Sequence, residues 1–387
     1  MGMKFLILLI SLFMVAPSAA EFRFGLVAYH VPFDSYKLME EDFDRIAENG
    51  ITWISVDFAW RDIEGERGVY NFSYFDFVVE NAEKNGLNVL AKVGNGYNGV
   101  RPVVPEWTKG LSNDEYNKAL GAYAEAVAER YGKRIEYYAI ENEPNVANMH
   151  RLTGWRVGDW SEDRIVTVLK TLEHGIRERD KDCEIVLSVS VAPGWTEWIE
   201  DVSKEVNFDV IGLQPYPCII FPDPNNAFNI IPDIEKAKSF GKEVMVIETG
   251  YHTFERGEEA QAAYIENICI AAMKGGATGV FFYEYLDNSE EFPEQEKHFG
   301  LLKENRETKL AWERYGKAIE NAEDLQSEEV NVSSMGKLFS DLYANRLIGR
   351  AFNLMIDVLS GSKLLSPVLR RIINSELVYN IMGSLPL

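Results

Sequence analysis

Short apolar runs alternate with longer amphipathic stretches between about Phe22 and Ala318. Apolar runs rich in β-branched residues predict buried parallel strands, and the polar stretches between them predict crossover helices. The pattern contains eight strand candidates: Phe24–Tyr29, Thr52–Phe58, Asn88–Val93, Ile135–Ile140, Glu184–Val189, Val210–Gln214, Glu243–Glu248 and Gly279–Tyr285.

Helical periodicity fills most of the intervals between these strand candidates. The clearest helical stretches are Asp42–Asn49, Phe75–Asn85, Asn113–Tyr131, Glu162–Arg179 and Glu258–Lys274. Eight βα units in a segment of this length predict an α/β fold, a closed (β/α)8 TIM barrel. A doubly wound open sheet is the alternative, but it usually has fewer strands, and no GxGxxG loop follows the first strand here.

The end of the chain differs from the barrel in composition. Residues 323–334 form an acidic, polar linker, and residues 335–387 carry six Lys or Arg against three Asp or Glu. Their apolar residues recur near helical spacing, which predicts a helical C-terminal extension without an apolar run of about 18 residues. We expect it to pack on the barrel, with self-association or binding to a membrane surface as alternatives.

The first residues have the pattern of a signal peptide. Lys4 precedes an apolar run of eleven residues, Phe5–Val15, and small residues around Ala20 suit cleavage. We therefore expect residues 1–20 to direct export, residues 21–322 to form the barrel, and the mature protein to be extracellular. An uncleaved N-terminal anchor is the main alternative.

The overall composition narrows the range of partners. The formal net charge of −22 disfavours nucleic acid and polyanionic substrates but permits a neutral one. The three cysteines, Cys183, Cys218 and Cys269, are too few for a disulfide framework, and no CxxC or HExxH pattern suggests a metal site. We expect no cofactor and no metal.

Two predicted strands end in a carboxylate. The fourth strand runs into Glu141-Asn142-Glu143-Pro144, and the seventh ends at Glu248. Ionised glutamate is costly to bury without a partner, so packing alone does not explain this pattern. In a TIM barrel the carboxyl ends of the strands form the active site, and two facing carboxylates suit glycoside hydrolysis.

The Asn-Glu-Pro strand end and Glu248 together resemble clan A of the glycoside hydrolases, especially families 5, 39 and 53. The stretches Trp60–Phe72, Asp209–Pro217 and Phe299–Leu302 are similar to further segments of that clan. The resemblance covers roughly Arg23–Glu320. It implies a retaining glycosidase that hydrolyses O-glycosyl bonds of a neutral oligosaccharide or polysaccharide.

The resemblance also implies roles for individual residues. Glu143 corresponds to the general acid/base and Glu248 to the nucleophile. Asn142 would bind the sugar 2-hydroxyl, and Tyr216 would donate a hydrogen bond to Glu248. From their positions in predicted loops and strand ends, the further candidates for substrate contact are Asn95, Trp60, His252 and Tyr283. Glu284 is the most credible rival carboxylate.

The chain departs from the clan at two positions. Ser55 stands where many members carry an arginine that pairs with the nucleophile, and strand eight ends in Tyr283-Glu284-Tyr285 where many have tryptophan. Tyr216, His252 or another arginine could compensate for the missing cation. The alternative is a catalytically silent barrel that binds glycans or a protein partner. A transglycosylase would share the same covalent intermediate.

Overall fold

The computed structural model describes residues 22–28, 36–94, 97–98, 101–102, 104–147, 161–219, 222–289 and 294–361. Within them, eight parallel strands close a barrel in the order β1-β8-β7-β6-β5-β4-β3-β2. The strands are β1 (Arg23–Val27), β2 (Trp53–Ala59), β3 (Asn88–Gly94), β4 (Tyr137–Ile140), β5 (Glu184–Ser190), β6 (Val210–Gln214), β7 (Glu243–Thr249) and β8 (Gly279–Phe282). The predicted TIM barrel is confirmed, and each predicted strand overlaps an observed one.

The helices follow the strands around the outside of the barrel. They are α1 (Tyr36–Glu48), α2 (Trp60–Ile63), α3 (Ser73–Lys84), α4 (Asn113–Tyr131), α5 (Glu162–Arg179), α6 (Trp195–Val202), α7 (Ile231–Lys238), α8 (Glu258–Gly275), α9 (Leu310–Glu320), α10 (Ala322–Ser327), α11 (Ser334–Tyr343) and α12 (Arg346–Gly361). A short antiparallel ribbon pairs Tyr97–Asn98 with Arg101–Pro102 beyond β3. No helix in the described ranges is both long and apolar enough to cross a bilayer.

Side chains fill the barrel and separate its two ends. One apolar cluster occupies the interior and includes Trp53, Tyr137, Ile247 and Phe281. A larger cluster lies between the outer faces of the strands and the surrounding helices. Because alternate residues of a strand point inward, the next inward positions toward the carboxyl ends are free to carry polar groups.

The C-terminal extension begins with helices that pack on the barrel. Helix α10 begins at the last residue of the predicted barrel, continues into the predicted linker and buries Leu325. Ser333 caps α11 by accepting from the amide of Gly336. Ser340 of α11 donates to the carboxylate of Asp233 on α7. These contacts agree with the expectation that the extension packs, as far as Gly361. The rest of the extension and residues 1–20 lie outside the described residues.

Helix α12 approaches the barrel through a contact between two glycines. A Cβ atom built on Gly349 would lie 2.3 Å from the Cα atom of Gly194, at the start of α6. Gly194 has a φ of 89°, a left-handed conformation that glycine adopts without strain. Arg346 and Arg350 of α12 both donate to Glu197 on α6. The close approach therefore depends on the absence of a side chain at both glycines.

Candidate active site

The fourth strand leads into a turn that carries Glu143. Glu141 and Glu143 have positive φ angles of 62° and 46°, and Pro144 starts a short 3-10 turn, Pro144–Val146. Left-handed backbone is uncommon for residues other than glycine and tends to persist where surrounding contacts hold it, often at functional sites. The turn buries Glu141 and leaves Asn142 and Glu143 half-buried at the end of the barrel.

A closed circuit of hydrogen bonds fixes this turn to the next two strands. The amide of Glu143 donates to Ser188 Oγ over 3.1 Å, and the Ser188 hydroxyl donates to the side-chain carbonyl of Gln214. The Gln214 amide nitrogen then donates to Asn142 Oδ1 over 2.7 Å. Since Oδ1 of Asn142 faces Gln214, its amide nitrogen is turned away from Gln214. Ser188 and Gln214 were not predicted as site residues, although both are polar residues within buried strands.

The seventh strand contains an irregularity next to Glu248. Val280 of β8 pairs with Val246 of β7, but Phe282 pairs with Thr249, so three steps on β7 face two steps on β8. Ile247 belongs to the interior cluster, whereas the hydroxyl of Thr249 bonds Pro215 and Tyr264 outside the barrel. A β-bulge therefore lets both Ile247 and Glu248 point inward and re-aims the glutamate into the barrel mouth.

Both carboxylate oxygens of Glu248 accept a hydrogen bond. Tyr216 donates to Oε1 over 2.8 Å, and Lys92 of β3 donates to Oε2 over 2.5 Å. Burial and the charge of Glu248 raise the pKa of Tyr216 well above its usual value, so its phenol stays protonated and remains a donor. The predicted contact of Tyr216 with Glu248 is present, and the cation beside Glu248 is a lysine on strand three.

The two glutamates act electrostatically on the same groups. The negative charges of Glu248 and Glu143 both contribute to raising the pKa of Lys92, and both contribute to raising that of Tyr216. Charges in a buried site are screened by solvent much less than charges on the surface. The ends of strands four and seven therefore bring Glu143 and Glu248 to one polar site at the carboxyl end of the barrel.

The ring of Phe299 contacts three residues that were predicted from the sequence to lie in the active site. Its ring packs against Tyr216, His252 and Tyr283, with ring centroids 6.1, 5.4 and 5.4 Å away. Gly250, two residues after Glu248, allows this packing because a Cβ there would lie 2.5 Å from the carbonyl oxygen of Tyr283. Tyr216 and Tyr283 are half-buried, and Tyr216 contacts Glu248 directly.

His252 is more enclosed than a typical residue that contacts substrate. It is 7% exposed, and its Nδ1 atom is buried without a hydrogen-bond partner among the described residues. Burial and the nearby charge of Arg256 lower the pKa of His252 to about 3, so the ring is neutral at ordinary pH. A neutral, buried imidazole cannot replace the positive charge of the arginine that is missing at Ser55.

The position of Trp60 corrects its predicted role. The ring is completely buried, stacks on Tyr123, and donates from Nε1 to Glu64 over 2.7 Å. Glu64 also accepts from the amide of Gly68, so Trp60 stabilises the loop after β2 from its inner side. We therefore exclude Trp60 from the proposed substrate contacts. Asn95 lies outside the described residues.

Glu284, the rival carboxylate, lies deeper than Glu143. It is 2% exposed at the end of β8, whereas Glu143 is half-buried at the barrel end. Glu248 is 9% exposed, so Glu284 is the least accessible of the three carboxylates to a substrate that enters from solvent. Within the described residues, no three His, Cys, Asp or Glu side chains gather in an arrangement that could hold a metal ion.

A closed (β/α)8 barrel with glutamates at the ends of strands four and seven is the arrangement of clan A of the glycoside hydrolases, and this chain resembles that clan. A family model described as beta-galactosidase matches residues 31–108. No curated protein sequence matches the chain.

Several solved structures share this fold. An exo-beta-1,4-mannosidase from Opitutaceae bacterium strain TAV5 superposes with a TM-score of 0.64 at 16% identity, over 82% of this chain and 64% of that protein. A family 39 glycoside hydrolase from the gut symbiont Bacteroides cellulosilyticus WH2 gives 0.60 at 20% identity, over 78% and 64%. GH5_18 from Streptomyces cattleya, in complex with GlcNAc, gives 0.68 at 17% identity, over 91% and 93%. The chain thus spans less than two thirds of the first two proteins.

Proposed function

We propose that this protein is a retaining glycoside hydrolase that cleaves O-glycosidic bonds of a neutral oligosaccharide or polysaccharide. The observation that carries the proposal is the placement of two glutamates at the mouth of one barrel: Lys92 and Tyr216 hold the carboxylate of Glu248, and Ser188 accepts from the amide of Glu143. Two carboxylates that share a site can divide the tasks of acid and nucleophile, as double displacement requires. The structural neighbours include enzymes named for β-mannoside and β-glucoside substrates.

In the first step, the carboxylate of Glu248 attacks the anomeric carbon while the carboxyl group of Glu143 gives its proton to the leaving glycosidic oxygen. The leaving sugar departs as an alcohol, and the remaining sugar is an ester of Glu248. In the second step, Glu143 takes a proton from water, which attacks the anomeric carbon and releases Glu248 as a carboxylate. Asn142 would donate to the sugar 2-hydroxyl from the amide nitrogen that faces away from Gln214.

The contact between Lys92 and Glu248 weakens the argument for a catalytically silent barrel. That alternative rested on Ser55, which left the nucleophile without a cation from strand two. Lys92 supplies a cation from strand three at 2.5 Å. The proposed extracellular location rests on the N-terminal segment alone, where Lys4 precedes the apolar run Phe5–Val15.

Trapping of the covalent intermediate tests the proposal. The protein is incubated with 2-fluoro β-glycosides of mannose, glucose and galactose that carry an activated leaving group, and the peptides are analysed by mass spectrometry. We expect one sugar per chain on the peptide that contains Glu248, and no labelling of the Glu248→Ala variant. Glu284→Gln is the matched control and should still be labelled. Absence of both labelling and turnover across the panel would favour the silent barrel.

A further inference from the structure

Lys92 is an unusual residue for its position in the fold. It lies within the buried strand β3, between Ala91 and Val93, and its side chain is 7% exposed. The strand register places Lys92 beside Asp57 of β2. Ser55, where the resembled clan carries its cation, is the partner of Leu90, one inward layer below. Lys92 therefore lies one strand away from Ser55 and one layer nearer the mouth of the barrel.

The charges around Lys92 keep it as an ammonium ion. Burial favours the neutral amine, but the negative charges of Glu248 and Asp57 outweigh it and leave the pKa of Lys92 above its usual value. The titratable groups that face this site are Glu248 on β7, Asp57 on β2, Glu143 after β4, and Tyr216 and Tyr283 after β6 and β8. Tyr216 stays protonated because its pKa is raised well above the usual value, so the charges that matter are the ammonium and the carboxylates.

During double displacement, the negative charge of the catalytic pair changes place. Before attack Glu248 is ionised and Glu143 is protonated, whereas in the glycosyl ester Glu248 is neutral and Glu143 is ionised. The pair therefore carries one negative charge in both states. Lys92 is hydrogen-bonded to Glu248 and also interacts with the charge of Glu143, so one ammonium can balance that charge in both states.

We propose that Lys92 is the positioning residue that replaces the strand-two cation, fixing Glu248 and balancing the single negative charge of the Glu143–Glu248 pair in both chemical steps. This inference rests on the proposed glycosidase function. A preorganised charge of this kind acts without reorganisation during the reaction, and loss of one such group typically lowers turnover about 100-fold or more.

The pH dependence of kcat/KM tests the role of Lys92. This dependence should be a bell-shaped profile with an acid limb and an alkaline limb. We expect Lys92→Met to lower the maximum kcat/KM about 100-fold. Both limbs of the profile should move to higher pH, because each carboxylate then loses a nearby positive charge. Lys92→Arg should retain much more activity with a bell close to the parent. Asp57→Asn should move the acid limb the opposite way, because a competing negative charge is removed. A general loss of structure would not produce opposite shifts.

Lys309→Met is the matched control, because Lys309 is also a buried lysine and pairs with Asp287 over 2.7 Å. This variant should lose thermal stability, while its pH profile of kcat/KM should keep both limbs at the parental pH. If the parent is labelled on Glu248 but Lys92→Met keeps the parental bell and rate, the role of Lys92 is wrong and the glycosidase function stands. If the parent is neither labelled nor active, the proposed function itself fails. Should Lys92→Met not fold, an unmoved bell in Asp57→Asn would still contradict the inference.

Discussion

The backbone amide of Glu143 donates to the side-chain hydroxyl of Ser188, 3.1 Å away on the neighbouring strand β5. This bond connects the proposed acid/base to Gln214 and, through it, back to Asn142. The side chains of Ser188 and Gln214 thereby fix the turn that carries both residues. Ser188 and Gln214 are buried, so their polar atoms depend on each other for hydrogen bonds.

Replacement of Ser188 by alanine tests this circuit. The variant loses the acceptor for the Glu143 amide and leaves the carbonyl of Gln214 without its donor, which costs about 1–3 kcal/mol in a buried site. We expect kcat to fall roughly 10-fold with a smaller change in KM, since a misplaced acid slows the step more than it weakens binding. Ser203→Ala, at the distant end of α6, is the control. Equal kinetics for the two variants would show that the circuit does not position Glu143.

Glu143→Ala distinguishes the acid/base from a structural carboxylate. Substrates with good leaving groups need no proton, so their first step should proceed near the parental rate, whereas poor leaving groups should react at least about 100-fold more slowly. Azide should restore turnover by attacking the glycosyl ester without general base help, and the product should be a glycosyl azide. Steady-state kinetics with matched aryl glycosides and product analysis by NMR measure both effects. A uniform loss with every leaving group and no azide rescue would contradict the assignment.

The buried carboxyl group of Asp233 should make stability depend on pH. Burial raises the pKa of Asp233 from 3.8 to about 6, so the folded protein holds this proton more tightly than the unfolded chain. The stabilisation from this bound proton is complete below 3.8, the pKa of Asp233 in the unfolded chain. It is lost as the pH rises through about 6, the pKa in the folded protein. Asp233→Asn lacks this titration. Relative to the parent, the variant's free energy of unfolding should rise by about 2–3 kcal/mol across this window. A pH-independent difference in chemical denaturation would contradict the expectation.

The contact of Gly349 with Gly194 predicts a local effect in the C-terminal extension. Gly349→Leu places a side chain where the Cα atom of Gly194 lies, so α12 must move away from α6. We expect faster amide hydrogen exchange and faster proteolysis in 346–361, with glycosidase activity unchanged. Ala351→Leu on the exposed side of the same helix is the control. Equal protection of α12 in both variants would show that the glycine contact does not hold it.

The sequence predicted the barrel well because burial determines its pattern. Strands with both faces covered read as apolar runs, and all eight candidates overlap the observed strands. Glu143 and Glu248 were identifiable because charged residues end two of those runs. Trp60 was misassigned because an aromatic ring in a predicted loop can face either substrate or core, and local sequence does not distinguish these positions.

The cation beside Glu248 was not predicted because it lies on a different strand from the one that the family pattern indicates. A signal was nevertheless present, since Lys92 interrupts the apolar run of β3 and a buried lysine needs a partner. Which carboxylate it meets depends on the closure of the barrel, which brings β3 and β7 to face one another. Register across a closed barrel is a three-dimensional property that no local pattern encodes.

Glu248 points into the barrel because the bulge in β7 adds one residue to that strand relative to β8. In a regular strand, either Ile247 or Glu248 would face the interior, and the other would face the helices. One additional residue allows the apolar side chain of Ile247 and the carboxylate of Glu248 to follow each other directly on the same side of the strand. Removal of that one residue would therefore turn the carboxylate of Glu248 toward the helices while the rest of the scaffold stayed the same. Designers who graft glutamates onto ideal barrels would need to build in the same irregularity.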